Sequence, residues 1–285
     1  MTLPEAVSQT VTWGDHRLSY TITGQTEAEL VVLIHPAFGD HTCFALQIND
    51  LAAHYRVVAI DLPGHGTAQP AASSTRVVDS ADLIAELLAQ EGYTRTHVVG
   101  VSLGALVAQD MAIRYANNVS SLTVVGGYPI FGTSPAIQRA QTFELLRLLP
   151  FMIFSLQRLR RAVAQAATFQ PHARELFLQS AQGFTQRSLR SLAGSDALLR
   201  PVFQPLGVPL QIVVGEHERP LLRTAAEAWQ RREPGSLLEI IPAAGHCANM
   251  DNPAVFNQRL VAFLRQQGGG ESTFSARIGD PSFQS

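Results

Sequence analysis

Several things are scarce in this 285-residue sequence, and each scarcity narrows the reading. Two cysteines, Cys43 and Cys247, cannot make a disulfide framework, so they read as free thiols in a reducing compartment. Lysine is absent: all 21 basic residues are arginine, set against 23 acidic ones. The formal charge of -2 leaves no basic footprint for nucleic acid, and the wholesale use of arginine reads as a GC-rich genome rather than a function. No apolar run approaches membrane-spanning length; the longest, Leu148 to Phe154, is interrupted by Pro150. Met1-Thr2-Leu3-Pro4-Glu5 has neither the basic nor the apolar region of a signal peptide, so a cytoplasmic protein without a membrane span is expected. Nine histidines bring no HExxH and no paired Cys/His spacing, and no glycine-rich phosphate fingerprint follows the first parallel strand. No metal or other cofactor is expected, and the partner is a small molecule; oligomeric state is left open.

With 46% apolar and only 15% charged residues, the chain is long enough to bury a large core. Thr10 to Trp13, a turn at Gly14-Asp15-His16 and Leu18 to Ile22 read as an antiparallel hairpin. Six short β-branched runs follow: Leu30 to Ile34, Arg56 to Ile60, His97 to Gly100, Leu122 to Val125, Leu210 to Val214 and Leu237 to Ile241. Runs of this kind predict parallel strands buried on both faces. Helical spacing lies between most of them, at Val78 to Gln90, Leu103 to Tyr115, Leu221 to Arg231 and Ala254 to Gln266. The alternation implies an α/β fold with a mostly parallel, doubly wound sheet. It breaks once, from about Tyr128 to Arg200, where three to five short helices are expected, punctuated by Pro135, Pro150, Pro171 and Gly194. The organisation is therefore a core of residues 1–127 and 201–267, a helical lid of 128–200, and a polar, glycine-led tail of 268–285 that reads as disordered.

Gly100-Val101-Ser102-Leu103-Gly104 sits between a strand and a helix. A serine on so tight a turn exposes its hydroxyl, small residues two positions either side avoid collision, and the helix start offers free N–H groups to an oxyanion. Ser102 is the candidate nucleophile. It needs a base, and His246 follows the last strand at the same carboxyl edge of the sheet. The strand before it ends in Gly215-Glu216-His217-Glu218, two acids in the chain order Ser, acid, His; Glu218 is preferred to Glu216 as the carboxylate that orients the base. In the loop His35-Pro36-Ala37-Phe38-Gly39-Asp40, Pro36 has no N–H, whereas Ala37 and Leu103 can donate to an oxyanion. His35 reads as a structural loop histidine. Asp61-Leu62-Pro63-Gly64-His65-Gly66 reads as a structural turn, and His65 is not the base. Phe38, Phe151 and Phe154 are candidates to line a substrate, the last two within a very apolar stretch, Phe143 to Phe154, that packs the lid's own core or overhangs Ser102.

Taken together, the loop at His35, the Asp61–Gly66 turn, the serine turn at Ser102 and Gly245-His246 resemble the α/β-hydrolase superfamily, in its lidded esterase-like branch. The resemblance spans the chain from the hairpin to about Gln267. It implies Ser102 as nucleophile, His246 as base and Ala37 and Leu103 as oxyanion donors. Two departures stand out: His35-Pro36 where the family has His-Gly, and Glu218 where it has aspartate, one methylene shorter. The resemblance implies a serine hydrolase acting on an ester, thioester or related acyl bond. The alternatives are carbon–carbon hydrolysis or perhydrolysis with the same residues, and a non-catalytic ligand-binding protein.

Overall fold

The structure is a computed structural model, which describes residues 7–68, 75–132, 135, 137, 139 and 155–268. Its frame is one eight-stranded sheet in the order β1-β2-β4-β3-β5-β6-β7-β8. β1 (Val7–Trp13) and β2 (His16–Thr23) form the hairpin, and β2 continues antiparallel onto β4 (Arg56–Asp61). β3 (Leu30–Ile34), β5 (Thr96–Val101), β6 (Val119–Val125), β7 (Leu210–Gly215) and β8 (Leu237–Ile241) pair in parallel, as β3 does with β4. Two details differ from the sequence reading. His16 pairs with Trp13 inside the hairpin, so the turn is only Gly14-Asp15. β8 is an edge strand, and Leu237 and Ile240 are exposed rather than buried on both faces.

Alternate side chains of β3 enter two separate cores. Leu30, Val32 and Ile34 face α2 (Ser80–Glu91) and α3 (Leu103–Arg114), whereas Val31 and Leu33 face α1 (Ala45–Ala52) and the final helix. This is the two-sided burial that a continuous apolar strand demands. Between β6 and β7 the described residues form α4 (Leu156–Ala167), α5 (Pro171–Ser180) and α6 (Gln186–Ser191). Pro171 opens α5 instead of breaking a helix, as its missing N–H allows in a first turn. A parallel bridge between Phe131 and Arg200 joins the two ends of this segment. Phe151 and Phe154 lie outside the described residues. After β7 come α7 (Pro220–Arg232), α8 (Ala248–Asp251) and α9 (Pro253–Gln267). Among the described residues no helix is long and apolar enough to cross a membrane.

The strand order reverses at β3, whose neighbours are β4 on one side and β5 on the other. Such a reversal is where open α/β sheets place a ligand crevice, at the carboxyl ends of the strands. Ile34 is in register with Gly100, which sets the His35 loop beside the serine turn.

Candidate active site

Ser102 has φ 53 and ψ -110, a conformation that costs a non-glycine residue about 1–3 kcal/mol. Its surroundings hold it there. The Ser102 N–H donates to Val125 O at 2.9 Å, continuing the β5–β6 ladder past the end of the strand. A Cβ on Gly104 would lie 2.1 Å from Ile34 O, so only glycine lets α3 start this close to β3. A Cβ on Gly100 would meet Gly104 O at 2.3 Å. The turn thus aims a half-buried hydroxyl out of the sheet edge.

His246 Nε2 lies 2.9 Å from Ser102 Oγ, and its Nδ1 lies 2.6 Å from Glu218 Oε2. Burial pushes the Glu218 carboxyl up, but the His246 charge and hydrogen bond, with the Arg219 amide and guanidinium, outweigh it and hold the group below its ordinary value. Ionised, Glu218 can only accept, so Nδ1–H donates to it. Nε2 is left with a lone pair, and the Ser102 hydroxyl donates to that. The extra methylene of glutamate is taken up by folding: Oε1 accepts from the next amide, Arg219 N–H, at 2.8 Å. Glu216 points elsewhere, its exposed carboxylate accepting from Ala243 N–H at 2.9 Å.

Gly126 is a site residue that sequence reasoning missed. It follows β6 with φ 59, and its N–H donates to Val213 O. A Cβ there would lie 2.6 Å from His246 O and 2.9 Å from His246 Nδ1. The position is legible only as one of two glycines closing a strand.

The loop after β3 carries the candidate oxyanion donors. Leu103 opens α3, so its N–H lies outside the helical ladder. The Ala37 N–H meets no acceptor among the described residues, and Phe38 beside it has φ 72. The Phe38 ring also packs at a tilt against Phe184, with ring centroids 4.3 Å apart. His35 is fully buried and uses both ring nitrogens: Nδ1–H donates to Pro36 O at 2.8 Å, and Nε2 accepts from Leu62 N–H at 2.9 Å. Burial keeps this imidazole neutral by lowering its pKa, and it bolts the loop to the turn after β4. In that turn Asp61 accepts from the amide and ring of His41 and from the amide and hydroxyl of Thr67. Burial pushes Asp61 up, yet the hydrogen bond and charge of His41 and the Thr67 hydrogen bond bring it down to about 2. His65 is buried and held neutral, its pKa pushed down to about 3 by burial, and it faces Phe184 and His35 rather than Ser102 Oγ. Cys43 and Cys247 are buried free thiols whose pKa burial raises, Cys43 to about 12.

Known proteins carry the same frame. The model of the alpha/beta hydrolase family matches residues 31–259. The dihydrolipoyllysine-residue acetyltransferase component of the acetoin cleaving system of Cupriavidus necator is 28% identical over 254 residues, 85% of this chain and 64% of that protein. This chain therefore spans just under two thirds of that relative's length. The putative carbamate hydrolase RutD of Cronobacter turicensis is 30% identical over 244 residues, covering 83% of this chain and 91% of RutD. Among solved structures, the carboxylesterase CesB of Bacillus subtilis superposes with a TM-score of 0.74 at 20% identity, covering 94% of this chain and 93% of CesB, a likeness of fold. The chain belongs to the alpha/beta hydrolase family.

Proposed function

We propose that this enzyme is a serine hydrolase that cleaves a carboxylic ester, thioester or related acyl bond of a small, largely apolar substrate. Ser102 Oγ attacks the carbonyl carbon while His246 Nε2 takes its proton, and Glu218 orients and stabilises the imidazolium. The N–H groups of Ala37 and Leu103 hold the oxyanion. His246 returns the proton to the leaving group, and water, activated by the same imidazole, releases the acyl group from Ser102.

The observation that carries this reading is the unbroken line from Ser102 Oγ to His246 at 2.9 Å and on to Glu218 at 2.6 Å, with the serine at φ 53. The Phe38–Phe184 pair beside the oxyanion loop supports an apolar acyl site, and residues 128–200 act as the lid that completes it. Phe151 and Phe154 belong to that lid on sequence grounds. The two buried, unpaired thiols fit a reducing, cytoplasmic setting.

The test is labelling by a fluorophosphonate, with turnover of 4-nitrophenyl esters, a thioester and a carbamate. Ser102→Ala should stay folded, take no label and lose on the order of 10⁶ in rate, as such a nucleophile does elsewhere. A folded variant that kept more than a few per cent of activity would remove Ser102 from the role.

A further inference from the structure

Asp251, at the end of α8, is buried and stands where three backbone N–H groups converge. Oδ2 accepts from Gly245 N–H at 2.7 Å, the residue just before His246. Oδ1 accepts from Phe169 N–H at 2.9 Å and Gln170 N–H at 2.8 Å, in the junction between α4 and α5. More links join the same two stretches. Gln170 Nε2 donates to Ala243 O at 2.9 Å, and Cys247 N–H donates to Ala167 O at 2.8 Å. The Phe169 ring stacks on His217, between the two acids, with centroids 3.8 Å apart.

These links bracket His246 in sequence, from Ala243 to Asp251. Nothing else described fixes Gly245 N–H, and the base loop must also cross Gly126 and Gly215 at distances that exclude a Cβ. On the β7 side the loop is tied only up to Ala244, by Ala243 N–H to Glu216 at 2.9 Å and His217 N–H to Ala244 O at 2.8 Å, so from Gly245 onward it follows the Asp251 side.

We infer that Asp251, with Gln170, is a latch that positions His246 by fastening its loop to the α4–α5 junction, so that the helical segment is half of the base's support. Asp251 acts through the backbone and touches no reacting atom. The inference rests on the proposed role of His246.

Asp251→Asn tests it with almost no change of shape. An amide has one acceptor oxygen, so in either orientation its NH₂ faces an N–H, that of Gly245 or that of Gln170. The measurement is the rate constant and the endpoint of fluorophosphonate labelling, alongside kcat and KM for 4-nitrophenyl acetate. The expected result is a full endpoint reached on the order of tenfold more slowly, with kcat lowered and KM nearly unchanged, the mark of a shifted base rather than lost binding. A lowered endpoint at the wild-type rate means only a smaller folded fraction and overturns the inference, as does an unchanged rate at full endpoint. Failure of the wild type itself to label would overturn the proposed function instead. If Asp251→Asn does not fold, Gln170→Ala decides. It removes the single bond to Ala243 O and should slow labelling about threefold; an unchanged rate overturns the latch.

Discussion

Replacing Glu218 with glutamine removes one charge and adds one N–H pair where the geometry leaves no slack. The side chain is 1% exposed, one oxygen is committed to Arg219 N–H at 2.8 Å and the other to His246 Nδ1 at 2.6 Å. If the amide oxygen keeps the Arg219 bond, its NH₂ faces Nδ1. The imidazole must then accept at Nδ1 and carry its proton on Nε2, where it can no longer take the proton of Ser102. If the amide turns round, its NH₂ faces Arg219 N–H, and a buried donor–donor contact costs about 1–3 kcal/mol. Either way the imidazolium also loses its counter-charge. The same exchange of carboxylate for amide in a serine protease lowers kcat about 10⁴-fold, so Glu218→Gln should cost about 10³ to 10⁴. Glu216→Gln keeps an acceptor for Ala243 N–H at an exposed position and should stay within about threefold. The assay is kcat/KM on 4-nitrophenyl butyrate for both variants, with folding checked by circular dichroism. A Glu218→Gln enzyme within tenfold of wild type, or one more active than Glu216→Gln, would refute the reasoning.

Gly126→Ala should place a methyl within 3 Å of His246 backbone and ring atoms, at a φ that costs an L-residue about 1–2 kcal/mol; the displaced imidazole should lower kcat about 10²-fold, and activity within twofold of wild type would sink the steric argument. Acid should destabilise the fold through its buried, neutral histidines: burial lowers His35, and lowers His65 and His97 to about 3 and about 4. Because all three lie below the unfolded value, their stabilisation is complete above about pH 6.5 and falls as pH drops toward 4, by about 1.4 kcal/mol per pH unit each for His65 and His97. His41, whose pKa its hydrogen bond to Asp61 raises, acts in a separate window: its contribution is complete below about pH 6.5 and is lost as pH rises through its folded value. Urea midpoints at pH 7 and pH 5 should differ clearly in wild type and less in His97→Gln; equal differences would exclude His97 as a source. On 4-nitrophenyl esters from acetate upward, kcat/KM should climb about fourfold per methylene until the apolar site fills, and a steady fall from acetate would point to a small closed pocket.

The strands were readable because each interior parallel strand is buried on both faces and writes an unbroken β-branched run, as Leu30 to Ile34 does. β8 carries the same kind of run but ends the sheet, and a run of residues does not say how many neighbours it will have. α1 escaped notice because its pattern is inverted: Gln47 is buried against Asn249 and Asn257, whereas Leu46 is exposed. The serine turn was visible because its steric demand falls on Gly100 and Gly104, two residues either side. His246 and Glu218 could be chosen from their places after strands, and the structure brings His246 to Ser102 and Glu218 to His246. Asp251 gave no such signal. It reads as an ordinary acid entering a helix, and its partners at Phe169 and Gln170 lie about eighty residues away.

The bond between Ser102 and His246 closes a loop of 144 residues, and every strand from β5 to β8 must be paired in register before the two side chains can meet. Parallel pairings of such long sequence separation form slowly, because each must first overcome the entropy of closing its crossover. A refolding chain will therefore regain helical ellipticity and much of its buried surface before β8 docks and carries the imidazole into place. Recovery of the proposed turnover is the last observable to return, a clock for completion of the sheet rather than for collapse of the core.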